Sequence, residues 1–297
     1  MPRVGVTMMV VPAIFASVML AASRISVLVV SESGVEAYHD ALGGITSVLP
    51  AGTFRVIDAA AKTFDRDLSG ALEEDDSRVV IAVGSRALAG VRAHHPAGTV
   101  ISAMVLSGSE EPGARRVEPD IHLPAQLAAM RALWPGRTRA GIIRNPAQSR
   151  LAAAALEALV RKEGYSVVVI DCEGPARLLK SFAEFKGKVD FVLCFPDPEL
   201  YNAVTIKPLV LASLEDRLPL VGFSPAFVRA GAAAGIFPDY ADVGRQSAEW
   251  ALRLVRGEDR ATEKESPRKV RIAVNERVVR LLGVEFRPDA VGAEVYR

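Results

Sequence analysis

This sequence contains few of the residues that build metal sites or disulfide scaffolds. It has two cysteines and four histidines among 297 residues. His94 and His95 are adjacent, His39 and His122 are isolated, and no His/Cys spacing is typical of a zinc site. We therefore predict no metal site, and a fold that depends on its apolar core rather than on cross-links.

An excess of charge of one sign is also lacking. The chain has 36 basic and 35 acidic residues, for a formal net charge of +1. Because nucleic-acid binding needs a concentrated basic surface, we predict no nucleic-acid partner. Apolar residues make up 50% of the chain and charged residues 24%. This composition is typical of a globular protein, and the length allows one large domain or two of ordinary size.

Motifs for covalent or phosphate chemistry are absent from the sequence. It contains no G-x-S-x-G nucleophile elbow. It also contains no glycine-rich phosphate loop of the Walker or G-x-G-x-x-G type. We predict no catalytic residues, no cofactor and no enzymatic activity.

The long apolar run of this chain lies at its N-terminus. Arg3 precedes the apolar residues 8–22, and Ser23-Arg24 follows them. A basic start, a short apolar segment and a small-residue exit are typical of a secretory signal peptide. The apolar run is shorter than the ~20 residues that span a bilayer. We predict that residues 1–23 are a cleaved signal and that the protein is periplasmic. An uncleaved N-terminal anchor is the main alternative, and a mis-assigned start or a buried strand is a further one.

Apolar segments and amphipathic helices alternate along the rest of the chain, which indicates parallel sheets covered by helices. One series occupies residues 25–106 and a second occupies residues 124–221. Between them, residues 107–119 are charged and turn-rich and predict a loop. Two similar α/β units joined by thin crossings indicate a two-lobed clamshell of Rossmann-like lobes. Each lobe is expected to have the strand order 2-1-3-4-5 of doubly wound sheets.

This strand order bears on the two cysteines. It places the strand at residues 139–143 between the strands that end near Cys172 and Cys194. Neighbouring strands are about 4.8 Å apart, and two such spacings are too wide for a disulfide. We predict two buried free thiols.

Residues 219–258 carry a resemblance to a known family. They contain the pattern PxVGFSxxFVxAGA, followed by DYxDxGRQxAExALRxxxGE. Residues 269–275, KVRIAVN, and 281–284, LLGV, continue the match. These segments resemble bacterial ABC-transporter substrate-binding proteins, in the branch that includes the tryptophan/tyrosine-type binding proteins. The resemblance covers residues 137–284 well. It is weaker over residues 25–105, where Val83-Gly84-Ser85 stands out and a Thr-Gly turn usual in the branch is missing.

The resemblance implies the periplasmic binding protein type I fold, in which the chain crosses between the lobes several times. The helix at residues 239–256 would return to the first lobe, and the third crossing would lie near Pro267. We therefore expect a first lobe of residues 24–122 and 238–267, and a second lobe of residues 123–237 and 268–297.

Ligand groups are expected in the loops that follow the strands. In open α/β sheets a ligand binds outside the carboxyl ends of the strands, where helix N-termini also present unpaired N–H groups. The candidate ligand-binding residues are Ser31, Ser33, Tyr38 and Ser85 on the first lobe, and Asn145, Ser149, Arg150, Asp197, Phe223 and Ser224 on the second.

Each candidate has a structural alternative. The serines and Asp197 are also suited to cap helices, the aromatic candidates to pack in the core, and Arg150 to face solvent. In the ligand-binding alternative, Arg150 or Arg144 offers a bidentate fork for a carboxylate. Asp197, which resembles the family's P-x-D turn, accepts an ammonium or a hydroxyl. Ser224 stands where sugar-binding relatives often have an acidic residue, which disfavours a sugar.

Together these observations predict the periplasmic component of an ABC-type uptake system. It would act as a monomer, capture a small solute such as an amino acid or an organic acid by hinge closure, and deliver it to an ABC permease in the inner membrane. Two alternatives remain at this point. One is a ligand-sensing module that signals to a membrane receptor, and the other is a two-lobed, glycosyltransferase-like enzyme.

Overall fold

The structure, a computed structural model, describes residues 25–74, 79–94, 99–105, 115–149, 151–258 and 263–297. The predicted export signal and the candidate Arg150 lie outside the described residues. In chain order the helices and strands are β1 (Val27–Ser31), α1 (Glu36–Val48), β2 (Phe54–Asp58), α2 (Phe64–Glu74), β3 (Val79–Val83), α3 (Ser85–His94), β4 (Val100–Ala103), β5 (Arg115–Val117), α4 (Leu123–Leu133), β6 (Arg139–Arg144), α5 (Ala153–Lys162), β7 (Ser166–Asp171), α6 (Leu178–Ala183), β8 (Phe191–Leu193), α7 (Ile206–Glu215), β9 (Leu220–Gly222), α8 (Pro225–Arg229), β10 (Ala234–Pro238), α9 (Tyr240–Val255), β11 (Lys264–Glu265), β12 (Val270–Asn275), α10 (Glu276–Leu282) and β13 (Glu294–Tyr296).

The first sheet has the order β2-β1-β3-β4-β5-β11, and its neighbouring strands run parallel. Every residue of β1 and β3 is buried. These strands read VLVVS and VVIAV, and such continuous β-branched runs are typical of parallel strands covered on both faces. Helices α1 and α9 pack against one face of the sheet, and α2 and α3 cover the other. We call this sheet with its four helices the first lobe.

The second sheet has the order β7-β6-β8-β9-β10-β12-β13. Its neighbouring strands are parallel except β12, which runs antiparallel to β10. Helices α4 to α8 and α10 pack with this sheet around two apolar clusters, and together they form the second lobe. Both sheets contain the strand order 2-1-3-4-5 that the sequence predicted.

The described chain passes between the two sheets three times. It leaves the first sheet after β5 to enter α4, returns after β10 to enter α9, and leaves again after β11 to form β12. Helix α9 belongs to the first lobe, where it packs along α1. The result is a clamshell of two α/β lobes joined by a multi-crossing hinge, as the sequence predicted.

Some predicted boundaries were wrong. The loop expected at residues 107–119 contains β5, which pairs with β4 and β11 at the edge of the sheet. Its sequence, Arg-Arg-Val, shows no apolar alternation. Arg116 is nevertheless buried, because its guanidinium is hydrogen-bonded to Glu118. In the second series, helix α7 begins only at Ile206, because side-chain hydrogen bonds of Asn202 and Thr205 hold the preceding residues in turns.

The two cysteines are free and buried, as predicted. Cys172 follows β7 and Cys194 follows β8, and β6 lies between these strands. Burial raises the pKa of Cys194 to about 12 and also raises the pKa of Cys172.

We therefore expect neither thiol to react with a reagent such as DTNB in the native protein. Reaction requires an accessible thiolate, and Cys172 and Cys194 are 0% and 1% exposed. Both thiols should titrate after denaturation without a reductant. Fewer than two titrated thiols under denaturing conditions would contradict the assignment of two free cysteines, and rapid reaction of the native protein would contradict their burial.

In the part of the chain that the structure describes, no helix has both the length and the hydropathy needed to cross a bilayer.

Candidate ligand-binding site

A cavity of about 320 Å³ lies where the second lobe meets the first crossing between the lobes. Three segments line most of it: residues 118–123 of the crossing, the loop after β6 and the loop after β8. Strands β6 and β8 are neighbours in the sheet, so their following loops meet at its carboxyl edge. This is the location at which open α/β sheets bind ligands.

Asn145 ties the two cavity loops together. Its Nδ2 donates to Glu199 Oε2 at 2.7 Å, and its Oδ1 accepts from the Ala147 backbone N–H at 3.1 Å. Its side chain lies at the cavity but is buried, with 4% exposure. Both ends of the amide are therefore engaged within the protein, and Asn145 shapes the cavity wall.

Arg144 does form the bidentate fork that the sequence suggested, but its partner is a residue of the protein. Nε and Nη2 donate to the two carboxylate oxygens of Asp171 at 2.6 and 3.0 Å, and Nη1 donates to the Leu151 carbonyl at 2.7 Å. These hydrogen bonds hold the pKa of Asp171 below its ordinary value. Arg144 thus fixes the far end of the loop after β6 to strand β7.

Asp197 contributes a buried carboxylate to the cavity. Its Oδ1 accepts hydrogen bonds from the backbone N–H groups of Glu199 and Leu200 at 2.9 and 3.0 Å. The side chain is 9% exposed and lines the cavity. In the described part of the chain, Oδ2 has no hydrogen-bond partner. One carboxylate oxygen therefore holds the turn, and the other remains for a further donor.

Tyr201 is a cavity residue that sequence reasoning missed. It is 5% exposed, and its hydroxyl is buried beside the Cys194 thiol. Burial, and then the neighbouring Cys194 thiol, raises the pKa of Tyr201 well above its ordinary value. The sequence feature that could have indicated Tyr201 is its position four residues after Asp197. In the turn formed there, Tyr201 N–H donates to the Asp197 carbonyl at 2.8 Å.

Ser149 also lines the cavity. Its hydroxyl donates to the Leu151 carbonyl at 3.1 Å. It does not cap the following helix, because α5 begins only at Ala153. The loop after β6 thus extends from Asn145 to Ala152.

The first-lobe candidates lie at and after the ends of neighbouring strands but do not line this cavity. Ser31 and Ser33 follow β1, and Ser85 follows β3, its neighbour in the sheet. Ser33 N–H donates to Asp58 Oδ1 at 2.9 Å. Tyr38 packs on Gly84, where a Cβ atom would lie 2.7 Å from the tyrosine ring. A polar group of first-lobe side chains therefore sits at the carboxyl edge of the first sheet.

Phe223 and Ser224 have the structural roles that were their alternatives. Ser224 Oγ accepts from Phe227 N–H at 3.2 Å and caps α8. Phe223 packs against Tyr201 and Phe227, with ring centroids 6.0 and 5.5 Å apart. Neither residue lines the cavity. Phe223 thus packs directly against the cavity residue Tyr201.

The first crossing supplies cavity residues that sequence reasoning also missed, among them Asp120 and His122. His122 Nε2 lies 2.6 Å from the Ser266 hydroxyl, which belongs to the third crossing. The cavity therefore borders the hinge itself. Within the described residues, no group of three or more His, Cys, Asp or Glu side chains is arranged to bind a metal ion.

Comparison with known families agrees with this architecture. A family model described as "ABC transporter substrate binding protein" matches residues 69–294, which is more than half of the chain. The chain therefore belongs to the family of ABC transporter substrate-binding proteins, as the resemblance implied. A search of curated protein sequences gave no significant match.

Solved structures of similar fold include several substrate-binding proteins. A ligand-free, open substrate-binding protein with adhesive properties from Clostridium difficile has a TM-score of 0.70 at 16% identity, covering 92% of this chain and 99% of that chain. An ABC domain in complex with L-Trp from Streptococcus pneumonia has a TM-score of 0.62 at 16% identity, covering 92% and 100%. A periplasmic ribose ABC transporter protein from Conexibacter woesei has a TM-score of 0.53 at 15% identity, covering 89% and 96%. At these identities the likeness establishes the fold, which is the predicted type I clamshell.

Proposed function

We propose that this protein is the exported, periplasmic solute-binding component of an ABC-type uptake system. It captures a small molecule between its lobes and passes it to a permease in the inner membrane. It acts as a monomer, without a cofactor and without chemical turnover. The observation that carries this proposal is the hinge-side cavity, with its buried Asp197 and Tyr201, in a chain of the substrate-binding family.

Capture requires contacts from both lobes, since a ligand favours the closed form only if it binds that form more tightly. We take the first lobe as residues 24–122 and 238–267, and the second as residues 123–237 and 268–297. The cavity in the second lobe is then one wall of the site. The opposite wall is the polar group formed by Ser31, Ser33, Tyr38 and Ser85, which hinge closure brings toward the cavity.

A thermal-shift screen of the processed protein against amino acids, organic acids and sugars tests the function. One of these classes should raise the melting temperature, because a ligand that binds only the folded state stabilises it by about 2.7 kcal/mol at a hundredfold excess over Kd. Small-angle scattering should then show a smaller radius of gyration with the hit than without it.

The negative outcomes of this screen are distinct. A ligand that binds without changing the radius of gyration would rule out hinge closure. A response restricted to nucleotide-linked sugars, accompanied by turnover, would instead support the enzyme alternative. No response from any of the three classes would contradict solute binding.

A further inference from the structure

The two lobes are joined by an ion pair as well as by the three crossings. Arg229 Nη2, in the last turn of α8, donates to Glu36 Oε2, in the first turn of α1, at 2.6 Å. Helix α1 belongs to the first lobe and α8 to the second, and the two residues are 193 positions apart in the sequence. This contact therefore depends on how the lobes are placed relative to each other.

The charges on the two sides of this contact are complementary. Glu36 and Asp40 of α1 act electrostatically on the hydroxyl of Tyr240, and so do Arg229 and Arg271 of the second lobe. Tyr240 is the first residue of α9, directly after the second crossing. Acidic groups thus come from the first lobe and basic groups from the second. Arg271 pairs within its own lobe, whereas Arg229 reaches across to the first.

Other ion pairs near the lobe boundary lie on the crossings themselves. Arg268 and Lys269 of the third crossing pair with Asp242 of α9, at 3.5 and 3.4 Å. A rotation about the crossings moves such groups little, because they lie close to the axis. Glu36 and Arg229 lie on helices outside the crossings. Since their charged groups already touch, the same rotation draws them apart or forces their side chains into other rotamers.

The arrangement of the lobes seen here is the one that precedes closure in the proposed function. The cavity is lined by the second lobe and the first crossing, and the polar group at the carboxyl edge of the first sheet does not line it. The two walls must therefore still approach each other before a solute can contact both.

We propose that the Glu36–Arg229 ion pair is a latch for this open arrangement, which releases when the lobes close and thereby sets the affinity for the solute. This inference rests on the proposed solute-binding function and adds a regulatory contact to it. A contact made only in the open form lowers the apparent affinity, because it makes the closed form a smaller fraction of the population. Exposed ion pairs are weak, and the loss of one should shift Kd by about 1.5- to fivefold.

Removing either charge tests the energetic role of the latch. Calorimetry uses the compound that gives the largest shift in the thermal screen. Its Kd should fall by about 1.5- to fivefold in Glu36→Gln and in Arg229→Met, and this gain should shrink at high salt, which screens the pair in the parent. The double exchange Glu36→Arg with Arg229→Glu restores opposite charges and should return Kd toward that of the parent.

Glu276 and Arg280 provide the matched control. They lie in the first and last turns of α10, within the second lobe, and Arg280 Nη2 donates to Glu276 Oε1 at 2.6 Å. Neither residue lines the cavity. Glu276→Gln also removes an exposed ion pair and a first-turn carboxylate, but it should leave Kd unchanged.

A reversible cross-link tests whether the pair separates on closure. Cys172 and Cys194 are buried, so a short bis-maleimide with a disulfide in its spacer should react at the introduced thiols of Glu36→Cys with Arg229→Cys. In the cross-linked protein the compound should no longer reduce the radius of gyration, and its Kd should weaken roughly tenfold or more. Reduction of the spacer should restore both. The same cross-link in Glu276→Cys with Arg280→Cys should change neither.

The outcomes separate the latch from the function on which it rests. Unchanged or weaker binding in Glu36→Gln and Arg229→Met would overturn the latch, as would closure that persists in the cross-linked protein. Either result leaves solute binding and closure of the parent standing. A parent protein that binds no solute, or binds one without a fall in the radius of gyration, would instead overturn the proposed function and the latch together.

Discussion

Replacing Gly44 with alanine is expected to destabilise the first lobe by about 3 kcal/mol, at the upper end of the usual cost of overpacking a core. Gly44 lies in α1 and is buried against α9, and a Cβ atom there would overlap the backbone of Ala241. The contact is reciprocal, since a Cβ at Gly244 of α9 would overlap the carbonyl of Ala41. Backbone atoms cannot rotate away as a side chain would, so the two helices must separate.

The neighbouring Gly43 provides a matched control. It lies in the same helix, is exposed, and has no atom within 4 Å of the position of an added Cβ. Gly43→Ala should therefore stabilise the protein by about 0.5–1 kcal/mol, because glycine is a poor residue within a helix. Urea unfolding of both variants measures the difference. Equal effects at the two positions would show that α1 and α9 do not pack this closely.

Replacing Arg144 with methionine is expected to weaken solute binding by roughly five- to thirtyfold. The variant loses both hydrogen bonds to Asp171 and the one to Leu151, which hold the loop after β6 at the cavity wall. The loop must then become ordered when the ligand binds. Fixing one residue costs about 1–2 kcal/mol, and each 1.4 kcal/mol corresponds to about tenfold in affinity.

Arg139 offers the corresponding control at the opposite end of the same strand. Its Nε and Nη2 donate to Asp190 Oδ1 at 3.0 and 2.7 Å, so Arg139→Met also removes an arginine–aspartate pair. Neither Arg139 nor Asp190 lines the cavity. Calorimetry with the hit from the solute screen should therefore give an unchanged Kd for Arg139→Met. A similar loss of affinity in both variants would mean that general stability, and not the cavity loop, controls binding.

Much of the architecture was predictable from local patterns. Continuous apolar runs predict the buried strands β1 and β3, and the helical spacing of apolar residues predicts the amphipathic helix α9. The order of the strands then follows from the rules for doubly wound sheets. Segment β5 was missed because its burial depends on an arginine paired with Glu118, a pairing that local periodicity does not show.

The candidate site was predictable to a smaller extent. Loops after β6 and β8 were expected to hold ligand groups, and Asn145, Ser149 and Asp197 do line one cavity. The pairing of Arg144 with Asp171 was not predictable from the sequence. The two side chains are brought together only by the pairing of β6 with β7. The candidate Ser224 does not line the cavity, and its hydroxyl caps α8.

Some features of this protein are therefore determined by local sequence, and others only by tertiary packing. Composition and the spacing of apolar residues suffice for the α/β lobes, the strand order and the unpaired thiols, because these depend on periodicities that are written along the chain. The cavity beside the hinge, whose walls include Asp120, Asp197 and Tyr201, required the folded chain. Its walls come from segments about 80 residues apart, and which oxygen or hydroxyl remains for a ligand depends on the hydrogen bonds that packing has already used.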